Sequence, residues 1–386
     1  MRSLLRCFTL AALALTACKK DNPPTGSTPP PAEKKSKLVG LVTDVGGRGD
    51  QSFNDSALRG LEAWAANQKS VDGKYLPLSA DERKASLPDE LAPRVTAVPI
   101  IPLVVQSKAQ EDYQPNLQLV VDQGADLTVG TGFMLENAVE TVAKQNQGAK
   151  FLLIDSPLMD AKGTPIALPN VRTVVFKEEE GSFLVGALAG LVSKEGKIGF
   201  VGGMEIPLIK KFEAGFRAGV KTTNPKATVL VQYTGSFDNV AHGKQAAQDL
   251  VSKGCEVVFH AAGSDGNGVI QAIKEARAAG KGVYVIGVDS DQSHLAPDAV
   301  LTSMVKRVDL AVWQAASDLT AGTFKNGDLS MGLKEGGVTY APVRIDFPGK
   351  AEALAKVEAL KAKIVGGEVK VPSNVADLEA FTPPAN

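Results

Sequence analysis

The stretch LVGLVTD at residues 38–44 decides how this chain folds. Its first five residues are apolar or glycine, which is typical of a strand buried on both faces, and two polar residues follow where that strand ends. A glycine-rich turn and a predicted helix from about 56 to 68 come next. A buried strand followed by a helix is the repeating unit of parallel sheets, so this stretch predicts an α/β fold.

The same unit recurs along the chain. Further strands are predicted at 127–129, 151–154, 198–201, 228–233, 257–260 and 283–288, and further helices at 135–146, 207–222, 240–252 and 266–279. So many strands favour two doubly wound parallel-sheet lobes joined by a hinge over one small open sheet. We assign 37–156 with 290–322 to lobe I and 157–289 with 323–386 to lobe II. A (β/α)8 barrel is the alternative architecture.

Two segments depart from this rhythm. A predicted helix at 180–193 is apolar nearly all round, with Gly186 and Gly190 four residues apart, and is too short to span a bilayer. We therefore expect it to pack closely inside a soluble core. The interval 70–102 contains five prolines and predicts an insertion or surface excursion.

The first 36 residues predict export. Arg2 and Arg6 precede an apolar run at 8–15, and this run is too short for a membrane span of about 20 residues. The LTAC sequence at 15–18 resembles a bacterial lipobox, in which cleavage occurs before a lipidated cysteine. We expect a signal peptide at 1–17, lipidation of Cys18 and a disordered tether at 18–36, which anchor the protein to the cell membrane facing the periplasm or cell exterior. An ordinary signal peptide with a chance cysteine is the alternative.

Composition limits the classes of partner and cofactor. The chain has 42 basic and 43 acidic residues, and removal of 1–17 leaves 40 against 43, or −3, which does not favour a nucleic-acid partner. Cys255 alone would then remain, and it is expected to be buried in the core rather than paired or reactive. The three histidines are widely spaced, so we expect no metal site and no cofactor.

Candidate ligand contacts follow the predicted strands, because ligands of open parallel sheets lie beyond the carboxyl ends of the strands. The candidates are Asp44, Asp50, Phe53, Asn54, Phe133, Phe212, Asp265, Gly266, Asp289 and Lys306. Carboxylates would repel a phosphorylated ligand but accept hydrogen bonds from sugar hydroxyls, and aromatic rings can stack on a planar base. This combination predicts a nucleoside. Asp44 could instead cap a helix, and Phe53 and Phe133 could instead be core residues.

Signals for catalysis are weak. The chain has no G-x-S-x-G elbow and no G-K-[ST] phosphate loop. We therefore expect a carrier rather than an enzyme. An exported nucleoside hydrolase is a less favoured alternative, because it would need a close cluster of aspartates, whereas these aspartates follow separate strands.

Taken in order, these strand-end segments resemble the basic membrane protein family of bacterial lipoproteins, which are substrate-binding proteins of the purine nucleoside receptor type. The segments that carry the resemblance are 42–47, 50–54, 123–133, 180–183, 196–203, 206–216, 263–268, 287–291 and 303–308. The resemblance implies a type I periplasmic-binding-protein fold, a nucleoside ligand (with purine favoured) and an ABC permease that receives it.

The resemblance also implies roles for individual residues. The family's ligand contacts carry over to Asp50, Asn54, Phe212, Asp265, Gly266, Asp289 and Lys306. Two departures affect base preference: Gly49-Asp50 stands where the family usually has two acidic residues, and Ala57-Leu58 stands where it commonly has an aromatic. We expect a monomer, and a sugar or another hydroxylated signalling metabolite is the alternative ligand.

Overall fold

The computed structural model describes residues 36–160 and 162–384 of the 386-residue chain. The predicted signal peptide, Cys18 and nearly all of the tether lie outside the described residues. The strands are β1 Lys37–Val42, β2 Gln68–Val71, β3 Lys74–Pro77, β4 Ile100–Val105, β5 Leu127–Thr131, β6 Phe151–Ile154, β7 Val171–Phe176, β8 Lys197–Gly202, β9 Thr228–Tyr233, β10 Val257–Ala261, β11 Tyr284–Asp289, β12 Val300–Lys306, β13 Gly327–Met331 and β14 Val338–Tyr340.

Helices alternate with these strands, as the sequence pattern predicts. They are α1 Phe53–Leu58, α2 Ala80–Ser86, α3 Tyr113–Asp122, α4 Glu136–Gln145, α5 Glu178–Val192, α6 Pro207–Thr223, α7 Val240–Ser252, α8 Asp265–Ala278, α9 Val308–Ala321 and α10 Lys350–Val365. Helix α1 continues directly into a π-helical segment, Arg59–Ala65, and short 3-10 turns lie at Gln110–Asp112, Phe133–Leu135, Ser293–Leu295 and Val375–Leu378.

The strands form two six-stranded sheets, so the fold has two α/β lobes and the barrel alternative is wrong. The first sheet belongs to lobe I and the second to lobe II. The first has the order β13-β7-β6-β5-β1-β4 and is parallel throughout. The second has the order β14-β12-β11-β10-β8-β9, in which only β14 runs antiparallel to its neighbour. The two doubly wound parallel sheets of the prediction are confirmed.

The strand pairing moves the lobe boundaries from those predicted. The chain passes between the lobes at three crossovers: 176–178 from β7 to α5, 306–308 from β12 to α9, and 331–338 from β13 to β14. The assignment of 157–289 to lobe II was wrong for β7, that of 290–322 to lobe I was wrong for β12, and that of 323–386 to lobe II was wrong for β13. Apolar strands can join either sheet, and only the pairing shows which one.

Two helices of lobe II, α5 and α6, pack closely against each other next to the first crossover. Helix α5 is buried along most of its length against α6. A Cβ atom built on Gly186 would lie 2.2 Å from the carbonyl oxygen of Phe216, and one on Gly219 would lie 2.0 Å from that of Phe183. Glycine is therefore required for the two backbones to touch, as the prediction of tight packing in a soluble core expects. Cys255 is free and buried, also as expected.

The last three residues of the excursion predicted at 70–102 belong instead to strand β4. The excursion comprises the β2–β3 hairpin and α2, and it ends where β4 begins, at Ile100. Strand β4 contains Pro102 and lies at the edge of the first sheet, where a residue without an N–H is tolerated. The excursion is held to lobe I by Arg83, whose guanidinium donates hydrogen bonds to the carbonyl oxygens of Ala63 and Trp64.

Candidate functional site

The carboxyl ends of both sheets face a shared cavity between the lobes. Lobe I contributes Asp44, Gly46, Asp50, Phe53, Asn54, Gly132, Phe133 and Asp155, and lobe II contributes Leu208, Ile209, Phe212, Phe237, 261–264, Val288, Asp289 and Lys306. The structure therefore brings eight of the ten predicted residues to one site. The cavity measures about 60 Å³, far less than the roughly 300–1,000 Å³ usual for ligand pockets, so the lobes are closed here.

The loop after β1 is organised by Asp50. Its carboxylate accepts hydrogen bonds from the backbone N–H groups of Ser52, Asn54 and Asp55, and from the Asn54 side chain. Asn54 in turn bridges to Asp44, accepting from the Asp44 N–H and donating to Asp44 Oδ1 at 2.7 Å. The Asp50 carboxylate thus has its acceptor capacity filled by its own loop, and its main role is to shape the cavity wall.

Asp44 keeps one oxygen for the cavity. Oδ1 accepts from Asn54 and from the Gly46 N–H, whereas Oδ2 accepts no hydrogen bond from any described residue. Burial raises the pKa of Asp44 to about 7, against the lowering effect of the Asn54 hydrogen bond. A carboxyl group with this pKa titrates near neutral pH, so Oδ2 can accept a hydrogen bond when the group is ionised and can donate one when it is protonated.

Lys306 lies at the centre of the site, at the second crossover. Its ammonium donates to Asp155 Oδ2 at 2.6 Å, and it lies 4.0 Å from Asp289 Oδ1 and 3.7 Å from Glu178 Oε1. Burial opposes the charge on Lys306, but these three carboxylates more than compensate and raise its pKa. The ammonium also lies 4.9 Å from the Phe53 ring centre and 5.4 Å from that of Phe212, within the range of cation–π attraction.

Asp155 and Asp289 occupy matching positions in the two lobes. Asp155 directly follows the buried strand β6, and Asp289 is the last residue of the buried strand β11. Each has a positive φ, +72° and +62° respectively, which is uncommon outside glycine and concentrates at functional sites. Asp155 Oδ1 is buried and has no hydrogen-bond partner among the described residues. Burial raises the pKa of Asp289 to about 6, although Lys306 lowers it.

The aromatic residues divide into two groups. Phe53 and Phe212 are almost fully buried beside Lys306, and Phe212 also packs against Phe259. Phe133 and Phe237 are only half-buried and meet edge to face across the lobes, with ring centres 6.2 Å apart. The rings with free faces at the cavity are therefore those of Phe133 and Phe237.

Asp265 and Gly266 do not line the cavity. Asp265 is fully buried and accepts hydrogen bonds from the Ser236 hydroxyl and the Asn239 N–H, so it fixes the loop that carries Phe237. Gly266 packs against His260, whose ring a Cβ at this position would overlap. Both residues follow β10 as predicted, but the start of α8 turns them away from the crevice.

The closed state is held by hydrogen bonds between the lobes. Ser52 Oγ donates to Asp289 Oδ2, the Ser290 hydroxyl donates to the Ser52 carbonyl, and Asn267 Nδ2 donates to the Asp50 carbonyl at 3.1 Å. Gln292 adds a further bond, from its side-chain amide to the carbonyl of Gln51. All of these bonds join the loop after β1 to the ends of strands or helices in lobe II.

A larger groove of about 1,200 Å³ lies elsewhere between the lobes, next to the excursion. Most of its charged side chains are already paired, as Arg307 is with Glu90 and Arg344 with Asp291. No buried polar atom without a partner among the described residues belongs to its lining. The smaller cavity does contain one such atom, Asp155 Oδ1.

Sequence reasoning missed one charged and one aromatic residue of the cavity lining, Asp155 and Phe237. Asp155 follows the predicted strand 151–154 and would have been found by applying the strand-end rule there, as it was at Asp44 and Asp289. Phe237 lies in a loop four residues after β9 and carries no such signal. Its position depends on the hydrogen bonds that Asp265 makes to that loop.

The chain is similar to known proteins over most of its length. It matches the family described as ABC transporter substrate-binding protein, PnrA-like, over residues 37–375. It is 34% identical over 347 residues to basic membrane protein A of Borreliella afzelii, covering 89% of this chain and 94% of that protein. It is 31% identical over 380 residues to the ABC transporter nucleoside-binding protein BmpA of Lactococcus lactis subsp. cremoris, covering 95% of this chain and 97% of that protein.

A solved structure shows the same architecture. An ABC transporter solute-binding protein of Aeropyrum pernix K1 superposes with a TM-score of 0.71 at 27% identity, covering 89% of this chain and 98% of that one. Two parallel-sheet lobes around a polar cavity place this chain in the class of type I solute-binding proteins.

Within that class, the chain belongs to the PnrA-like family of ABC transporter substrate-binding proteins, also called the Bmp family, as its motifs predicted. This family is one of substrate-binding transport proteins rather than enzymes. The names of its members indicate exported, membrane-associated proteins. Among the described residues, no helix has both the length and the apolar character needed to cross a bilayer.

Proposed function

We propose that this protein captures a nucleoside, with purine favoured, between its two lobes and delivers it to an ABC permease. The observation that carries the proposal is a set of three carboxylate oxygens at the cavity: Asp44 Oδ2, Asp155 Oδ1 and Asp289 Oδ1. None of them accepts a hydrogen bond from a described residue. Buried acceptors of this kind are costly unless a ligand supplies donors, and the hydroxyl groups of a ribose are suitable donors.

The arrangement of the cavity supports a nucleoside with its sugar innermost. Asp155, Asp289 and Lys306 form the inner end, where the sugar hydroxyls would bind. Phe133 and Phe237 lie where a planar base could stack between the lobes. A ligand of this size requires the lobes to separate, and the three crossovers are the segments about which we expect them to move.

The charge of the site favours an unphosphorylated ligand. Asp44, Asp50, Asp155 and Asp289 face the cavity, and Lys306 is the only basic side chain in its described lining. A phosphate group would be repelled by this excess of carboxylates. Nucleoside monophosphates should therefore bind much more weakly than the nucleosides from which they derive.

A sugar is the second candidate ligand, and one observation favours it. The closed cavity of about 60 Å³ is small, so a pentose would require less separation of the lobes than a nucleoside. Thermal denaturation with guanosine, adenosine, uridine and ribose at equal concentrations distinguishes the two. A shift in Tm with nucleosides that exceeds the shift with ribose supports the nucleoside, and equal shifts would favour the sugar.

We further propose that Cys18 carries the lipid that anchors the protein to a membrane. The support is the LTAC sequence at 15–18 together with the membrane-protein names of the relatives. Metabolic labelling with a radioactive fatty acid, comparing the natural chain with Cys18→Ser, tests this directly. Label that persists in Cys18→Ser would exclude the anchor.

A further inference from the structure

The Lys306 ammonium has carboxylates on the side that faces the cavity and a further carboxylate, that of Glu178, outside the cavity lining. Asp155 and Asp289 line the cavity, whereas Glu178 does not. The Glu178 side chain is fully buried, and its Oε1 lies 3.7 Å from the Lys306 ammonium and accepts no hydrogen bond from the described residues. Of the three protons on the ammonium, one is donated to Asp155, which leaves two for a ligand and for weaker electrostatic contact with Glu178.

Glu178 is itself held in place from the far side. It is the first residue of α5, where a helix N-terminus favours a negative charge. Its Oε2 accepts a hydrogen bond from Lys211 at 3.2 Å. Lys211 precedes Phe212, which lines the cavity, so this pair ties the first crossover to the wall of lobe II.

We propose that Glu178 is a positioning residue, which holds the Lys306 ammonium between the two lobes so that it can donate to a ligand oxygen. The inference rests on the proposed function, since it concerns how the same cavity binds its ligand. Without the negative charge of Glu178, the Lys306 ammonium would be attracted only by Asp155 and Asp289. It would then move towards Asp289 and occupy an acceptor that the ligand needs.

Glu178→Gln tests this, because it removes the charge and keeps the shape. Glu179→Gln is the matched control: Glu179 is the next residue on α5, it also has a buried oxygen without a partner, and it makes no ion pair with Lys306. In crystal structures of the ligand-free variants, we expect the distance from Lys306 Nζ to Asp289 Oδ1 to fall from 4.0 Å to hydrogen-bond length in Glu178→Gln only. An ammonium that stays in its original position in both variants overturns the proposal, whatever the ligand.

Calorimetry with guanosine gives the functional readout. We expect Glu178→Gln to weaken binding by about tenfold or more, as for the loss of a charge-assisted contact, and Glu179→Gln to change it by less than about threefold. Glu178→Asp retains the charge and should recover part of the affinity, which a purely space-filling role would not predict. Equal affinities for Glu178→Gln and Glu179→Gln would refute the inference, whereas absence of guanosine binding by the natural protein would instead refute the proposed function.

Discussion

Ser52 Oγ in lobe I lies 2.5 Å from Asp289 Oδ2 in lobe II and donates a hydrogen bond to it. Both residues are buried, and Asp289 also offers its other oxygen to the cavity. The contact that closes the lobes and the proposed contact with the ligand therefore share one carboxylate. Because the two functions meet at Asp289, closure and ligand binding should be energetically coupled.

Ser52→Ala should remove the hydrogen bond between Ser52 and Asp289 and so weaken the closed state. It leaves a buried carboxylate oxygen without its donor, so the closed state loses roughly 1.5–3 kcal/mol, the usual worth of a hydrogen bond to a charged group. We expect guanosine to dissociate about tenfold faster or more in stopped-flow measurements, with little change in association. Ser107→Ala, another buried serine of lobe I, is the control, and a dissociation rate equal in both variants would show that the contact does not hold the lobes.

Asp44 should make the ligand-free protein less stable as pH rises. Its pKa is about 7 in the folded state, because of burial, against an ordinary value of 3.8. The folded state then binds more protons than the unfolded state between about pH 4 and 7, so the free energy of unfolding falls across this window. Asp44→Asn should reduce that fall by about 2–4 kcal/mol in urea denaturation at pH 4.5 and pH 7.5.

The matched control for this pH effect is Asp126→Asn. Asp126 is partly exposed. Its partial burial raises its pKa, but the hydrogen bonds from Lys37 and from the Leu38 N–H, together with the charge of Lys37, lower it more, so its pKa lies below the ordinary value. This substitution should leave the loss of stability between pH 4.5 and 7.5 in place. A parallel pH dependence of the natural protein and Asp44→Asn would show that Asp44 does not titrate in this window.

Asp50→Asn should act on the fold more than on the ligand. The carboxylate accepts four hydrogen bonds within its own loop, and an amide would point N–H groups at some of those donors. We expect a loss of roughly 2–4 kcal/mol in the free energy of unfolding. A variant of unchanged stability that binds guanosine poorly would instead make Asp50 a direct ligand contact.

Phe237→Ala should weaken the binding of nucleosides and leave the binding of ribose unchanged. Stacking on an aromatic side chain contributes about 1–3 kcal/mol per base, so guanosine affinity should fall about fivefold to a hundredfold. Phe324→Ala removes a ring that packs on Arg172, away from the cavity lining, and serves as the control in the same calorimetric titrations. Equal losses of guanosine and ribose binding would mean that Phe237 acts through lobe closure rather than through the base.

The fold could be predicted largely because its central strands are apolar on both faces. Strands β7 and β13 were missed because polar residues interrupt them: Arg172 of β7 is buried with Asp318 as its partner, and β13 is an exposed edge strand. Such partners come from distant parts of the chain. Local periodicity therefore could not reveal either strand or the sheet to which it belongs.

The site was predictable where it follows the strand-end rule. Asp44, Asp289 and Lys306 lie where that rule places them, and Asp155 would have followed from the same rule. Asp50 and Asp265 show its limit, since both are strand-end or loop carboxylates whose oxygens are used by the protein itself. Only the hydrogen-bond partners distinguish a carboxylate that builds a loop from one that is free for a ligand.

Asp155 provides the most direct test of the proposed ligand site, because its Oδ1 lines the cavity, is fully buried and has no hydrogen-bond partner among the described residues. Titration calorimetry should show one guanosine bound per natural protein molecule, with a Kd of about a micromolar or tighter. Asp155→Asn should weaken that binding by about a hundredfold, while Asp160→Asn, at a half-buried position outside the cavity lining in the segment that follows β6, should not. No heat with any nucleoside, or full affinity in Asp155→Asn, would contradict the interlobe nucleoside site.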